Sequence, residues 1–168
     1  MTRLARLVSI AGAAVLIGAC GGGGGGGMTA LTPADPSDKF IGSWATCIAF
    51  VVNGIDLSAL TVFTAAKIDA THGSFATTAT PFANAGCAPP AAGAPVPVPE
   101  LTGTVAIDSA ASGPFGADRI TITPSAAPSF KDIALVNGNQ LQFGDELSPP
   151  DAQGYPSTLD TLAIFIRQ

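Results

Sequence analysis

Few side chains in this sequence could carry chemistry of their own. They are three cysteines, Cys20, Cys47 and Cys87, and a single histidine, His72. A thiol can be acylated, can pair in a disulfide, or can bind a metal as the thiolate. His72 is the one histidine, the residue type that titrates near neutral pH, but Thr71-His72-Gly73 is typical of a solvent-facing turn. The main chemical question is therefore what each cysteine does.

The residues before Cys20 have the order of a secretory signal. Arg3 and Arg6 are followed by an apolar run, Leu7 to Ile17, and then by small residues. The run is too short to cross a bilayer comfortably as a mature helix. We therefore expect residues 1–19 to form a signal-peptide helix that is removed from the mature protein.

The sequence Leu16-Ile17-Gly18-Ala19-Cys20 resembles a bacterial lipobox, and seven glycines follow it. The resemblance implies cleavage before Cys20, a diacylglycerol on its sulfur and an acyl chain on its new amine, with membrane lipid as the partner. Two or three acyl chains make such an anchor effectively permanent. Residue 21 is not Asp, which in Gram-negative lipoproteins implies the outer membrane, at its periplasmic or its surface face. The alternative is an ordinary signal peptide cut near Ala19.

This interpretation divides the chain into three parts. Residues 1–19 are the signal peptide, residues 20–38 are the lipidated cysteine and a disordered Gly- and Pro-containing tether, and residues 39–168 are the folded domain.

With Cys20 assigned to lipid, Cys47 and Cys87 remain as an even pair in an oxidising compartment. Such a pair predicts a disulfide. Two free thiols and a metal site are the alternatives, although two thiols and one histidine without CxxC spacing fall short of a zinc set. We expect no cofactor and no resident metal.

The acidic segment 145–160 offers a weaker possibility. Its carboxylates could bind calcium, but they lack the spacing of an EF-hand, so the alternative is a solvated loop. The sequence also contains no Gly-x-Ser-x-Gly, no His-Glu-x-x-His and no phosphate-binding loop. We therefore predict that the protein is not an enzyme.

The charge balance argues against nucleic acid as a partner. The chain has 7 basic and 12 acidic residues, and Arg3 and Arg6 belong to the leader. The remaining basic residues are scattered singly, whereas phosphate binding needs a basic patch.

The region after residue 39 has the pattern of a β protein. About eight short segments of alternating or branched residues are separated by turn signals, among them Asn53-Gly54 and Asn137-Gly138. The pattern places Ile133 and Leu135 on one face, and a return strand with Leu141 and Phe143 on that same face. We predict an all-β fold, an antiparallel eight-stranded barrel or a closed sandwich.

The first strand contains Gly42-Ser43-Trp44, a Gly-x-Trp sequence that resembles the opening motif of the lipocalins and the wider calycin group. In those barrels the tryptophan closes one end and a basic residue near the last strand packs over it. The resemblance makes Arg167 the candidate for that basic residue. It also implies a ligand pocket, or else a solid core, lined by these residues: Trp44, Phe63, Val105, Ile122, Leu135 and Phe143.

The chain is also similar to a group of small Gram-negative lipoproteins. The matching pieces are Cys20 with its glycines, Gly42-Ser43-Trp44-Ala45-Thr46-Cys47 and Gly154-Tyr155-Pro156. That likeness implies a location and no activity. The predicted function is a structural or interaction role at the envelope, with an envelope protein as a candidate partner. The alternatives are a lipocalin-like carrier of a small apolar ligand and an enzyme with an unrecognised carboxylate pair in a cleft.

Overall fold

The structure, a computed structural model, describes residues 35–88 and 95–168. They belong to one unit, Pro33–Gln168. The predicted signal peptide, Cys20 and the glycine run lie outside the described residues, so these assignments stay predictions.

Eight strands form a closed antiparallel barrel in which each strand pairs with the next and β8 pairs with β1. The prediction of an all-β, eight-stranded antiparallel barrel is therefore confirmed. The strands are β1 (Gly42–Val52), β2 (Ile55–Lys67), β3 (His72–Phe82), β4 (Val98–Ser109), β5 (Asp118–Pro124), β6 (Phe130–Asn137), β7 (Gln140–Phe143) and β8 (Phe165–Arg167). Two short 3₁₀ helices, Asp38–Phe40 and Pro114–Gly116, complete the described elements.

This up-and-down order gives the barrel two distinct ends. The Trp44 end, as we name it, carries the start of β1 and the end of β8, and residue 41 leads into it. The hairpin end, opposite to it, carries the β1–β2 turn, residues 83–88 after β3, residues 95–97 before β4, and the segments 125–129 and 144–164. The chain therefore enters the barrel at the Trp44 end.

The β1–β2 hairpin follows its sequence signal. Asn53 and Gly54 have φ values of 52° and 79°, as a type I′ turn requires of both central residues. Val52 pairs directly with Ile55, and the register then continues without a break to Gly42 and Ala65.

The β6–β7 hairpin differs from the prediction by one turn position. Asn137 pairs with Gln140, so the two central residues are Gly138 and Asn139, of which Gly138 alone has a positive φ, 60°. A two-residue turn places Ala134 opposite Phe143 and Val136 opposite Leu141. The prediction that Leu135 shares a face with Leu141 and Phe143 is therefore wrong.

Two separate hydrophobic clusters result. The larger fills the barrel interior, and its buried members are Phe40, Trp44, Phe63, Ala65, Phe75, Ile107, Ile120, Ala134, Leu141 and Phe165. The smaller comprises Ala117, Ile133 and Tyr155, with Leu135 and Leu159 packed against it. It lies on the outer face of β5 and β6, because Ile133 and Leu135 point away from the interior residue Ala134.

Gly103 on β4 is required by close packing inside the barrel. A Cβ atom there would lie 2.3 Å from the Thr123 carbonyl oxygen and 2.9 Å from the Phe75 ring. The missing side chain leaves room for that ring in the interior cluster.

Candidate functional site

Trp44 is fully buried and is held from two sides at its end of the barrel. Its indole N–H donates a 2.8 Å hydrogen bond to the Phe40 carbonyl. The Arg167 guanidinium lies 4.0 Å from the ring centroid, which confirms the predicted contact. Cation–π attraction of this kind contributes about 0.5 to 2 kcal/mol.

The same guanidinium also binds the chain that leads into β1. It donates to the carbonyl oxygens of Ile41, at 2.8 Å, and of Lys39, at 2.7 Å. Gly42 has φ 125°, and a Cβ atom there would lie only 3.2 Å from the Arg167 Nη1 atom. The glycine of the Gly-x-Trp motif therefore allows both the backbone turn and the close approach of the arginine.

The segment Asp35–Ile41, which we call the strap, covers this end. Phe40 inserts into the interior cluster, and the Ser37 hydroxyl donates to the Asp69 carbonyl at 2.8 Å. Lys39 lies 2.7 Å from the completely buried Asp118 carboxylate. The sequence assigned residues 35–38 to the tether, but in the structure they are packed on the barrel, because their contacts come from residues distant in sequence.

The barrel interior is crossed by a row of four aromatic rings. Phe75 stacks on Phe63 at 5.8 Å between centroids, Phe63 meets Phe143 edge-on at 5.5 Å, and Phe143 meets Phe165 edge-on at 5.8 Å. Of the predicted lining residues, Trp44 and Phe63 are buried in this cluster, and Val105, Ile122 and Phe143 pack against it.

A space of about 10 Å³ remains beside Phe40, lined in part by Ala65, Val105 and Ile107. That is close to the lower limit for one water molecule, whereas pockets for small organic ligands measure about 300 to 1,000 Å³. The sixth predicted lining residue, Leu135, lies in the outer cluster and cannot line the interior.

Asp132 occupies an unusual position near the hairpin end. It pairs with the interior residue Ile120 and is only 8% exposed. Its Oδ1 atom accepts hydrogen bonds from the Ile133 N–H at 2.7 Å and the Gly144 N–H at 2.9 Å. Burial raises the pKa of Asp132 to about 7, and the nearby Glu146 charge contributes in the same direction.

A cleft of about 250 Å³ lies beside this carboxyl group. Its wall includes Phe130, Lys131 and Glu146, and segment 144–160 supplies most of the rest. The sequence pattern did not predict this cleft. A carboxylate on the inward face of a strand is a recognisable signal only once the strand register is known.

Segment 144–160 is fixed to the outer face of the barrel by Tyr155. The ring lies between the Arg119 guanidinium, 5.1 Å from its centroid, and the Lys131 ammonium, at 4.8 Å. Its hydroxyl donates to Asp108 at 2.9 Å, and Arg119 forms an ion pair with Asp151 at 2.6 Å. Backbone N–H groups, that of Tyr155 first, together with Arg119 lower the pKa of Asp151.

The acidic segment 145–160, for which calcium binding is the weaker alternative, thus has several of its carboxylates in internal hydrogen bonds. Asp145 and Asp151 each accept a backbone hydrogen bond within the segment, and Asp160 accepts one from the Leu162 N–H just beyond it. Across residues 35–88 and 95–168, no group of three or more His, Cys, Asp or Glu side chains comes together as a metal site. The expectation of no resident metal stays a prediction.

His72 is exposed and begins β3, directly after the turn. Its Nδ1 atom lies 2.8 Å from Asp69. The Thr71 N–H, followed by the His72 side chain, lowers the pKa of Asp69 to about 2. The pair stabilises the turn.

The hairpin end carries the predicted disulfide, which is confirmed. Cys47 and Cys87 are joined across a separation of 40 residues, with their Cα atoms 6.0 Å apart. The Cys87 N–H also donates to the fully buried Ser58 hydroxyl at 2.9 Å. The bond fastens the segment after β3 onto β1, and a loop of this length implies roughly 4 kcal/mol of stabilisation in the chain-entropy model.

Exposed apolar side chains are found beyond the disulfide. Val51 is 65% exposed and Ile55 is 61% exposed, at the tip of the β1–β2 hairpin. No long apolar helix capable of spanning a bilayer occurs within the described ranges.

Comparison of the chain with protein-family models, with curated proteins and with solved structures found no match. The barrel, the Gly-x-Trp contact with Arg167 and the disulfide therefore stand on the geometry alone. The architecture is consistent with a lipocalin-like fold.

Proposed function

We propose that this protein is a membrane-anchored envelope lipoprotein whose barrel has a structural or interaction role and does not carry a ligand. The supporting observation is the row of rings across the interior, Phe75, Phe63, Phe143 and Phe165, in mutual contact. Rings in such contact occupy interior space that a ligand would need, which supports binding at the surface.

The arrangement of the two ends agrees with an anchored role. Arg167, Lys39 and Lys67 hold the strap against the Trp44 end through a hydrogen bond and ion pairs. A membrane anchor at Cys20 would therefore connect to the end of the barrel that these contacts stabilise. The hairpin end, with its exposed apolar tip, is then the surface remote from the point of attachment.

The anchor is tested by the intact mass of the protein isolated from its native membrane. We expect a chain that begins at Cys20 and carries a diacylglycerol and one further acyl group. A mature chain that carries no lipid and begins at a residue other than Cys20 would contradict the proposal. A Cys20→Ala variant should lose membrane association while its circular dichroism spectrum stays unchanged.

The proposal that the barrel carries no ligand is tested by titration with an apolar fluorescent probe. We expect no saturable binding and no quenching of Trp44, the only tryptophan. A Phe63→Ala variant is the matched control, because it removes a central ring and opens a space where a small probe could bind. Saturable binding of the probe by the wild type would favour the carrier function instead.

A further inference from the structure

Strand β1 is paired along its whole length on one side only. β2 pairs with every residue from Gly42 to Val52, whereas β8 pairs with Trp44 and Ala45 alone. β8 has three residues, because the chain before it belongs to the long segment that covers the outer face of β5 and β6. We call Thr46–Val52, on the side away from β2, the β1 edge.

The hairpin geometry fixes which backbone groups this edge presents. Val52 and Ile55 flank a two-residue turn and form a hydrogen-bonded pair, so even-numbered residues of β1 bond to β2. Odd-numbered residues point the other way, as Ser43 does when its carbonyl accepts the Gln168 N–H at 2.9 Å. Within the described part of the chain, the backbone groups of Cys47, Ala49 and Val51 have no such partner.

The β1 edge lacks the features that normally prevent strand addition. Exposed edges are usually protected by charged side chains, proline or a bulge. No charged residue and no proline occurs from Gly42 to Ile55, and the β1–β2 register is unbroken. Ala49 is exposed, and Val51 and Val52 extend the apolar surface toward the tip.

We propose that the β1 edge pairs with the same edge of a second copy of this chain, antiparallel, about a two-fold axis between the two Ala49 residues. This inference rests on the proposed interaction role and names its partner. The register places Cys47 opposite Val51 of the partner subunit, and Ala49 opposite Ala49 of the partner subunit. The three residues whose backbone groups face the partner are evenly placed about Ala49, and no like charges meet at the axis.

The length of chain before the strap is compatible with this pairing on one membrane. A two-fold axis at Ala49 directs the two Trp44 ends oppositely, and five residues of strand separate Trp44 from the axis on each side, giving about 33 Å between the ends. The chain from Cys20 to Asp35 can extend to about 50 Å. Two anchored copies lying along the surface can therefore pair without leaving the bilayer.

Cross-linking of the full anchored chain in its membrane tests the register. In a hydrogen-bonded antiparallel pair the opposed Cα atoms lie about 5.5 Å apart, within disulfide reach. An Ala49→Cys variant should give a covalent homodimer under mild oxidation, with the Cys47–Cys87 bond intact by peptide mapping. The matched control is Thr64→Cys, exposed on β2, which is paired on both sides and should stay monomeric.

A charge exchange distinguishes a second copy from other occupants. Ala49→Lys and Ala49→Asp should each weaken dimerisation about ten-fold or more, because like charges meet at the axis, and a mixture of the two should restore it. Light scattering in detergent measures the association, and circular dichroism checks the fold. Three results would overturn the inference. They are a wild type that stays monomeric at all concentrations, equal cross-linking of both cysteine variants, and an Ala49→Cys variant that cross-links only to a different protein. The mass measurement of acylation and the probe titration do not depend on dimerisation. The proposed function and the proposed dimer can therefore be refuted independently.

Discussion

The two ends of the barrel differ in how their polar groups are hydrogen-bonded. At the Trp44 end the indole N–H, the guanidinium of Arg167 and the backbone carbonyls of Lys39 and Ile41 satisfy one another. At the hairpin end the fold is held by the disulfide, while β1 continues beyond its partner β8 with outward backbone groups. The Trp44 end is thus closed by internal hydrogen bonds, and we propose that the hairpin end provides the contact surface.

The strongest test of this contrast is Trp44→Ala. Removing a fully buried indole should cost about 3 to 5 kcal/mol of unfolding free energy, because it leaves a cavity and takes away the surface under Arg167. Urea unfolding followed by circular dichroism measures the change. Phe115→Ala is the control, since Phe115 is 77% exposed and its removal should change stability little. Equal losses for both variants would remove the special role of the Trp44 end.

The corresponding test at the hairpin end is the double variant Cys47→Ser with Cys87→Ser. It should lower the unfolding free energy by about 2 to 4 kcal/mol, because the loop of 40 residues regains freedom in the unfolded chain. Thermal unfolding with and without reductant measures it. The wild type should become as unstable as the variant once reduced, and reductant should leave the variant unchanged.

The Asp132 carboxyl predicts a pH dependence that belongs to the hairpin end. Burial raises its pKa in the folded chain to about 7, against an unfolded value near 4, so the folded chain holds the proton longer. Stability should therefore fall as pH rises from about 4 to about 7, by at most a few kcal/mol. Asp132→Asn keeps an acceptor for the two N–H groups and should flatten this slope. Asp56→Asn, an exposed carboxylate on β2, is the control. A slope that survives in Asp132→Asn would place its origin elsewhere.

The smallest expected effect concerns Arg167. Arg167→Lys keeps the charge but loses the planar group that stacks on Trp44 and reaches two carbonyls, so we expect a loss of about 1 to 2 kcal/mol. Trp44 fluorescence should shift as the ring gains water. If Arg167→Lys matched the wild type in unfolding free energy and in Trp44 fluorescence, only the charge of residue 167 would matter at this end.

Much of the barrel could be predicted from local patterns. Asn53-Gly54 identified the first hairpin, alternation identified most strands, and Gly42-x-Trp44 led to the contact with Arg167. The face of Leu135 could not be predicted safely, because a shift of the turn from Asn137-Gly138 to Gly138-Asn139 alters the pairing, and side-chain direction reverses with each residue.

The cleft and the Tyr155 contacts were missed for a different reason. Segment 144–160 has little periodicity, so nothing in it shows that Tyr155 packs between Arg119 and Lys131, residues on two other strands. The same holds for Asp132, whose burial depends on strand register and on the position of Gly144.

The sequence by itself determined the strand pattern, the type of the first hairpin turn and the pair of cysteines, because these follow from neighbouring residues and from composition. The tertiary structure alone decided that the strands close into a barrel rather than a sandwich, that four rings pack in a row across its interior, and that the short β8 pairs with only two residues of β1. Those features depend on contacts between residues far apart in the chain, which local propensity does not encode.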